Sequence, residues 1–210
     1  MNKITIFVEG TADIKFFQDF MLEHYGLTLE KGKIGGIIDT QGKGGLEVKK
    51  NDFLRSSDLG YKNLVIFDAD FPKNEGGFAK REATILAEKT KLSLQFDLFL
   101  FPNNQDDGDL EVLLENIINP LNKGIFECWE IYQNCLQNKP NLHKGAEGKY
   151  TIPARKSKIY TYLETLLEDT AKEKELAKDP KRDFRNREHW QLADINNAYI
   201  KTLKQFFDSI

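Results

Sequence analysis

Cysteine and histidine are scarce in this chain, with two Cys and three His among 210 residues. Cys128 and Cys135 stand seven apart in a helical pattern, about two turns or roughly 10 Å, which is too far for a disulfide. The expected setting is therefore reducing and cytoplasmic. His24, His143 and His189 are scattered and, with only two Cys, offer no zinc-ligand spacing. No apolar run approaches the roughly 20 residues of a membrane span, so no membrane association is expected. The opening residues Met1 to Val8 read directly as a strand and lack the longer apolar stretch and small-residue cleavage site of a secretion signal. Gly42-Lys43-Gly44-Gly45 does not have the G-x-x-x-x-G-K-[ST] spacing of a P-loop, so it reads as a glycine turn and no ATPase module is expected in this sequence. There is no internal repeat and no low-complexity tract.

Apolar material is ample. Hydrophobic residues make up 40% and charged residues 30%, the balance of a soluble globular chain, and 15 Phe supply core area. The net charge of −3 excludes a uniformly basic nucleic-acid glove. The charge is nevertheless unevenly spread. From Leu92 to Asn122 there is no Lys or Arg and there are six acids: Asp97, Asp106, Asp107, Asp109, Glu111 and Glu115. Basic residues gather later, at Arg155, Lys156 and Lys158 and at Lys178, Lys181, Arg182, Arg185 and Arg187. This layout suits a metal site flanked by phosphate contacts, although charge alone favours an ordinary mixed surface.

Hydrophobic periodicity predicts strands at 3–8, 34–39, 64–68 and 96–101, with helices at 12–24, 46–56 and 78–93 between them. Thr11 is the expected N-cap of the first helix. The alternation predicts an α/β fold with a four-stranded, mainly parallel sheet flanked by helices. Beyond Pro102 the period becomes helical, at 109–118, 125–136, 157–175 and 193–209, with a polar loop over 137–153 and a charged mobile loop over 178–187. The expected organisation is a sheet domain over 1–118 and a helical extension over 119–210 packed on it as one compact unit.

In a parallel sheet of this kind ligands sit at the carboxyl ends of the strands. The first strand ends in Glu9-Gly10-x-x-Asp13, where Gly10 allows a sharp strand-to-helix turn. Asp13 can point back toward Glu9, or simply favour the helix dipole. The third strand ends in Asp68-Ala69-Asp70, which can converge on one ion or form a polar turn before Phe71-Pro72. Asp109 and Glu111 follow the fourth strand and offer a second metal locus, or an acid-rich helix start. Clustered carboxylate oxygens suit Mg²⁺ or Mn²⁺. Asp39 falls at the same edge. Trp129, Trp190, Tyr150, Tyr160 and Tyr162 read as packing residues.

The run Ile6-Phe7-Val8-Glu9-Gly10-x-x-Asp13-x-x-Phe16-Phe17, together with Val65-Ile66-Phe67-Asp68-x-Asp70, resembles the Toprim domain over roughly residues 1–115. That domain occurs in topoisomerases, primases, recombination mediators and overcoming-lysogenization-defect (OLD) nucleases. The segment from Phe101 to Glu111 further resembles a group of small bacterial Toprim-like proteins related to the OLD type. The resemblance implies that Glu9 is a general acid/base or metal ligand and that Asp68 and Asp70 bind Mg²⁺ (or Mn²⁺). In the OLD-like branch Asp13, Asp109 and Glu111 would complete a two-metal nuclease site, and Lys156 or Lys158 would stand near the scissile phosphate as catalytic lysines. Both lysines also fit solvated helix-start cations. The implied activity is metal-dependent nuclease or phosphotransferase chemistry on nucleic acid. The alternative is a non-catalytic module that binds nucleotide, nucleic acid or a partner ATPase or helicase, and a small-nucleotide phosphohydrolase is a third reading.

Overall fold

The segment Ile4–Val8 is buried at every position and forms β1, against which the rest of the sheet assembles. The structure is a computed structural model that describes residues 3–42, 44–145, 147–168, 170–178 and 181–210. In chain order β1 leads to α1 (Thr11–Tyr25), β2 (Ile37–Asp39), α2 (Gly45–Val48), α3 (Lys50–Asp58), β3 (Lys62–Asp68), α4 (Phe78–Leu92) and β4 (Asp97–Phe101). Then follow α5 (Leu110–Asn116), α6 (Lys123–Asn138), α7 (Arg155–Leu166), α8 (Ala171–Leu176) and α9 (Ala198–Asp208).

The four strands are all parallel, in the order β2-β1-β3-β4. The chain winds from β1 outward to β2, then crosses back over β1 to β3 and continues to β4. Strand order therefore reverses between β1 and β3, and the carboxyl ends of those two strands form the crevice where open α/β sheets bind ligands. Val8 pairs with both Ile66 and Asp39, and Asp68 pairs with Phe101, so the carboxylates leave the strands almost level with one another.

Side chains alternate across the sheet. Ile6, Val8, Leu64, Ile66, Phe99 and Phe101 join one buried cluster with α1 and with residues of the helical C-terminal half, among them Ile159, Tyr162, Trp190, Leu203 and Phe207. Phe7, Ile38, Val65, Phe67 and Leu100 face the other way, onto Leu46, Phe53 and Ile85 from α2, α3 and α4. The C-terminal helices thus share the core of the sheet. Trp190 is 1% exposed and Tyr162 fully buried, with its hydroxyl donating to the His189 carbonyl at 2.5 Å. Tyr150 is exposed. Among the described residues, no helix is long and apolar enough to cross a membrane.

Several boundaries differ from the sequence reading for local reasons. The N-cap of α1 is Gly10 and Thr11 is already helical, because the Asp13 carboxylate accepts the Gly10 N–H at 2.8 Å and takes over the capping role. The second strand begins only at Ile37, since Gly35 has φ +77° and the Gly36 N–H closes a turn onto the Lys33 carbonyl. A Cβ on Gly36 would lie 2.1 Å from the Glu30 carbonyl oxygen, so only glycine fits that turn. The helix expected over 46–56 breaks at Lys49 into α2 and α3. The one expected over 157–175 stops where Leu167 turns extended, and Thr170 caps α8 through the Glu173 N–H. The expected mobile loop over 178–187 is also corrected. Arg182 is 2% exposed and Phe184 fully buried against Phe16 and Trp190, and the Phe184 N–H donates to Asp19, so the part around Arg182 and Phe184 is pinned to α1. Lys43 of the glycine turn lies outside the described residues.

Candidate metal centre

Glu9 and Asp68 leave adjacent strands at the reversal point, and alternation sends them to opposite faces. Glu9 continues the Phe7 side and meets α4, where the Arg81 guanidinium pairs with its carboxylate. Arg81 is 9% exposed, stacks over Phe67 and also donates from Nε to the Asp68 carbonyl at 3.4 Å. Asp68 continues the Ile66 side and accepts the N–H of Leu110, the first residue of α5, at 2.9 Å. That bond places a carboxylate at a helix N-terminus, where the dipole favours it. Asp13 comes from the first turn of α1.

Asp70 is held by its backbone. It has φ +59°, and it exchanges two hydrogen bonds with Gly108, of 2.7 and 3.0 Å. Gly76 packs so closely that a Cβ there would sit 2.2 Å from the Asp70 Cβ. The bridge to Gly108 ties the β3 tip to the loop after β4, which carries Asp109 and Glu111. Asp109 caps α5 by accepting the Val112 N–H at 3.0 Å, and Glu111 follows in its first turn.

The charges are mutually felt. Burial pushes Asp68 well above the usual carboxylate range, and the charges of Asp13, Glu9, Glu111 and Asp109 push it further. Burial likewise raises Asp13 to about 7, opposed by the Gly10 N–H and reinforced by Glu9 and Glu111. Asp109 is raised by burial, partly offset by the Val112 N–H and by Arg155, and it feels Asp70. Glu111 is raised by burial and by Asp109, while Lys156 and Arg182 oppose. The structure therefore brings Glu9, Asp13, Asp68, Asp70, Asp109 and Glu111 within electrostatic reach at one edge.

Other acids at this edge do structural work. Asp39 accepts the Gln41 N–H in its own turn, Asp106 accepts from Asn103, and Asp107 accepts the Phe78 N–H at the start of α4. Glu115 pairs with Arg155 at 2.9 Å and Lys158 at 3.0 Å. The two candidate lysines separate, as residues two apart on a helix must. Lys156 reaches Asp13 and Glu111 electrostatically, whereas the Lys158 ammonium lies on Glu115 and 4.2 Å over the Phe126 ring. A cavity of about 750 Å³ opens beside the acids, with Asp109, Glu111, Arg155 and Lys156 among its walls. Arg81 was missed by sequence reasoning, and Arg155 was read only as part of a basic segment, without its acidic partners. Each stands in the first turn of a helix beside another cation, Lys80 or Lys156, and the crossovers that aim them at the acids are not written locally.

The donors are all hard oxygens, as Mg²⁺ and Mn²⁺ prefer, and buried acids whose charges oppose one another are relieved by a divalent ion. As the side chains stand, no three His, Cys, Asp or Glu among the described residues are gathered as a ready metal cluster. Glu9, Asp13, Asp68 and Asp109 each engage an internal donor. A cation would have to draw them off those donors.

Fold and site together define a parallel α/β protein with a buried acidic centre at its switch point. Over residues 3–210 the chain matches the family described as "Protein of unknown function (DUF3226)", and it belongs to that family. No curated protein and no solved structure matches it.

Proposed function

We propose that this chain carries out Mg²⁺- or Mn²⁺-dependent, Toprim-type phosphodiester chemistry on nucleic acid, with a nuclease-like outcome. One observation carries the reading: six carboxylates at the tips of β1 and β3 and the starts of α1 and α5 lie within electrostatic reach along the switch-point edge, and burial and mutual repulsion hold four of them above their ordinary pKa. A fold sustains such repulsion at a functional site more readily than elsewhere. Glu9, Asp13, Asp68, Asp70, Asp109 and Glu111 would hold the metal. When bound, a divalent ion supplies Lewis acidity toward a phosphoryl oxygen and acidifies a water molecule. Lys156 and Arg155, on the wall of the adjoining cavity, would neutralise and orient the phosphate. Glu9, once released from Arg81, is the group for proton transfer.

The test is a cleavage assay on plasmid, single-stranded DNA and RNA with Mn²⁺, Mg²⁺ or EDTA, comparing the wild type with Asp68→Ala/Asp70→Ala. Metal-dependent cleavage that the double variant loses supports the proposal. Intact substrates under every condition refute it. The Arg81 clamp on Glu9 and the net charge of −3 favour a second reading, a non-catalytic module serving a partner ATPase or helicase. Metal binding without cleavage would support that one.

A further inference from the structure

A second cavity, of about 430 Å³, adjoins the acidic centre and has the opposite character. Its walls include Lys156, Lys178 and Arg182, with the hydroxyl residues Thr11, Ser157 and Thr161. No carboxylate lines it among the described residues. Lys156 belongs to the walls of both cavities, so the two are neighbours across one side chain. Thr11 opens α1, two residues before Asp13, and it brings the positive end of that 15-residue helix to the same place.

Arg182 is the unusual member. It is 2% exposed, and its Nε donates to the Ala177 carbonyl at 2.9 Å, which fixes the guanidinium plane at the cavity wall. Its planar fork suits two-point contact with phosphate oxygens, and its charge is also felt by Glu111 in the acidic centre. Glu175, on α8, pairs with Lys178 and with Lys181, so one lining cation is already engaged by a carboxylate, for which an incoming phosphate would compete. The Tyr160 ring completes the wall with an apolar surface.

We propose that this cavity is a phosphate-binding subsite, taking a phosphate group of the substrate next to the one held at the metal centre. The claim rests on the nucleic-acid reading of that centre for its biological use, but the subsite's chemistry is its own. Among the described residues the walls offer three cations and three hydroxyls and no carboxylate, a set that suits an anion better than a metal ion. The phosphate could be the singly charged diester of a nucleic-acid strand or the monoester of a free nucleotide, since both present phosphoryl oxygens to the same donors.

The test measures binding of a fluorescent single-stranded oligonucleotide to the full chain in EDTA, with inorganic phosphate and a nucleoside 5′-monophosphate as competitors. Wild type is compared with Lys156→Gln and Lys178→Gln, whose exposed side chains can change without unfolding the protein. Each variant should weaken the oligonucleotide by about tenfold, the loss expected of one charge-assisted contact. It should also lower the slope of log affinity against log salt by about 0.7. Competition by the monophosphate at concentrations that leave inorganic phosphate ineffective would assign the subsite to a free nucleotide. Oligonucleotide binding that resists the monophosphate would assign it to a strand. Unchanged affinity and salt slope in both variants, or no binding of any phosphate probe in EDTA, overturns the subsite. Divalent-metal titration of the same samples separates the two claims. Lysine-dependent phosphate binding without metal binding leaves the subsite standing and the metal centre refuted.

Discussion

Replacing Asp13 with asparagine should stabilise the metal-free protein above neutral pH and leave it unchanged near pH 4. The native carboxyl is raised from 3.8 to about 7, chiefly by burial and then by Glu9 and Glu111 against the Gly10 N–H. A raised folded-state pKa means that the fold prefers the protonated acid. Its contribution is fully present below the unfolded value and is lost as pH rises from about 4 through 7. With roughly 3 units at 1.36 kcal/mol each, the loss is about 4 kcal/mol in order of magnitude. Part of it is shared with Asp68, which the Asp13 charge also raises. An asparagine Oδ1 can still accept the Gly10 N–H, so the cap survives while the charge is removed. For a chain of this length, each kcal/mol moves Tm by about 2–4 °C, giving a gain near 10 °C at pH 8. Thermal unfolding in EDTA at pH 4, 6 and 8 reads this directly. A variant less stable than wild type at pH 8, or displaced equally at every pH, would refute the electrostatic reasoning and leave Asp13 as a simple helix-start residue.

Other outcomes follow from particular contacts. Arg81→Met leaves the Glu9 charge half-buried without its guanidinium, which should cost about 3 kcal/mol in EDTA by chemical denaturation, and Mn²⁺ should restore more stability to this variant than to wild type. Gly76→Ala forces a Cβ against the Asp70 Cβ, so calorimetry should show metal affinity falling by about tenfold or more while far-UV circular dichroism stays native. Phe184→Ala should lower stability by about 3–5 kcal/mol in urea unfolding, because Phe184 is fully buried against Phe16 and Trp190; a free loop would give almost no change.

The parallel sheet was legible because its strands are short apolar runs separated by helical periods, and Glu9, Asp68 and Asp70 stand at the tips of two of them. That β1 and β3 are neighbours is not written in either segment. It follows from the crossover over β1, which also makes their shared edge the binding crevice. Burial of the segment around Arg182 and Phe184 was illegible for a related reason. Five cations between Lys178 and Arg187 look solvated, yet Asp19 on α1 accepts the Phe184 N–H and pulls the stretch inward. Arg81 shows the same limit, since its partner lies 72 residues away in sequence. The early end of the 157–175 helix was hidden because Leu166 and Leu167 continue the apolar pattern across the break at which Leu167 turns extended.

The most direct test of the acidic centre is calorimetric titration of the full chain with Mn²⁺ and Mg²⁺ at pH 8 and at pH 5, with Asp68→Ala/Asp70→Ala alongside. Carboxylates whose pKa is raised compete with protons for the ion, so binding should be strong at pH 8, weaker at pH 5 and absent in the double variant. Heat that persists unchanged in the double variant, or no heat in the wild type at pH 8, would contradict the assignment of this sheet edge as a metal centre.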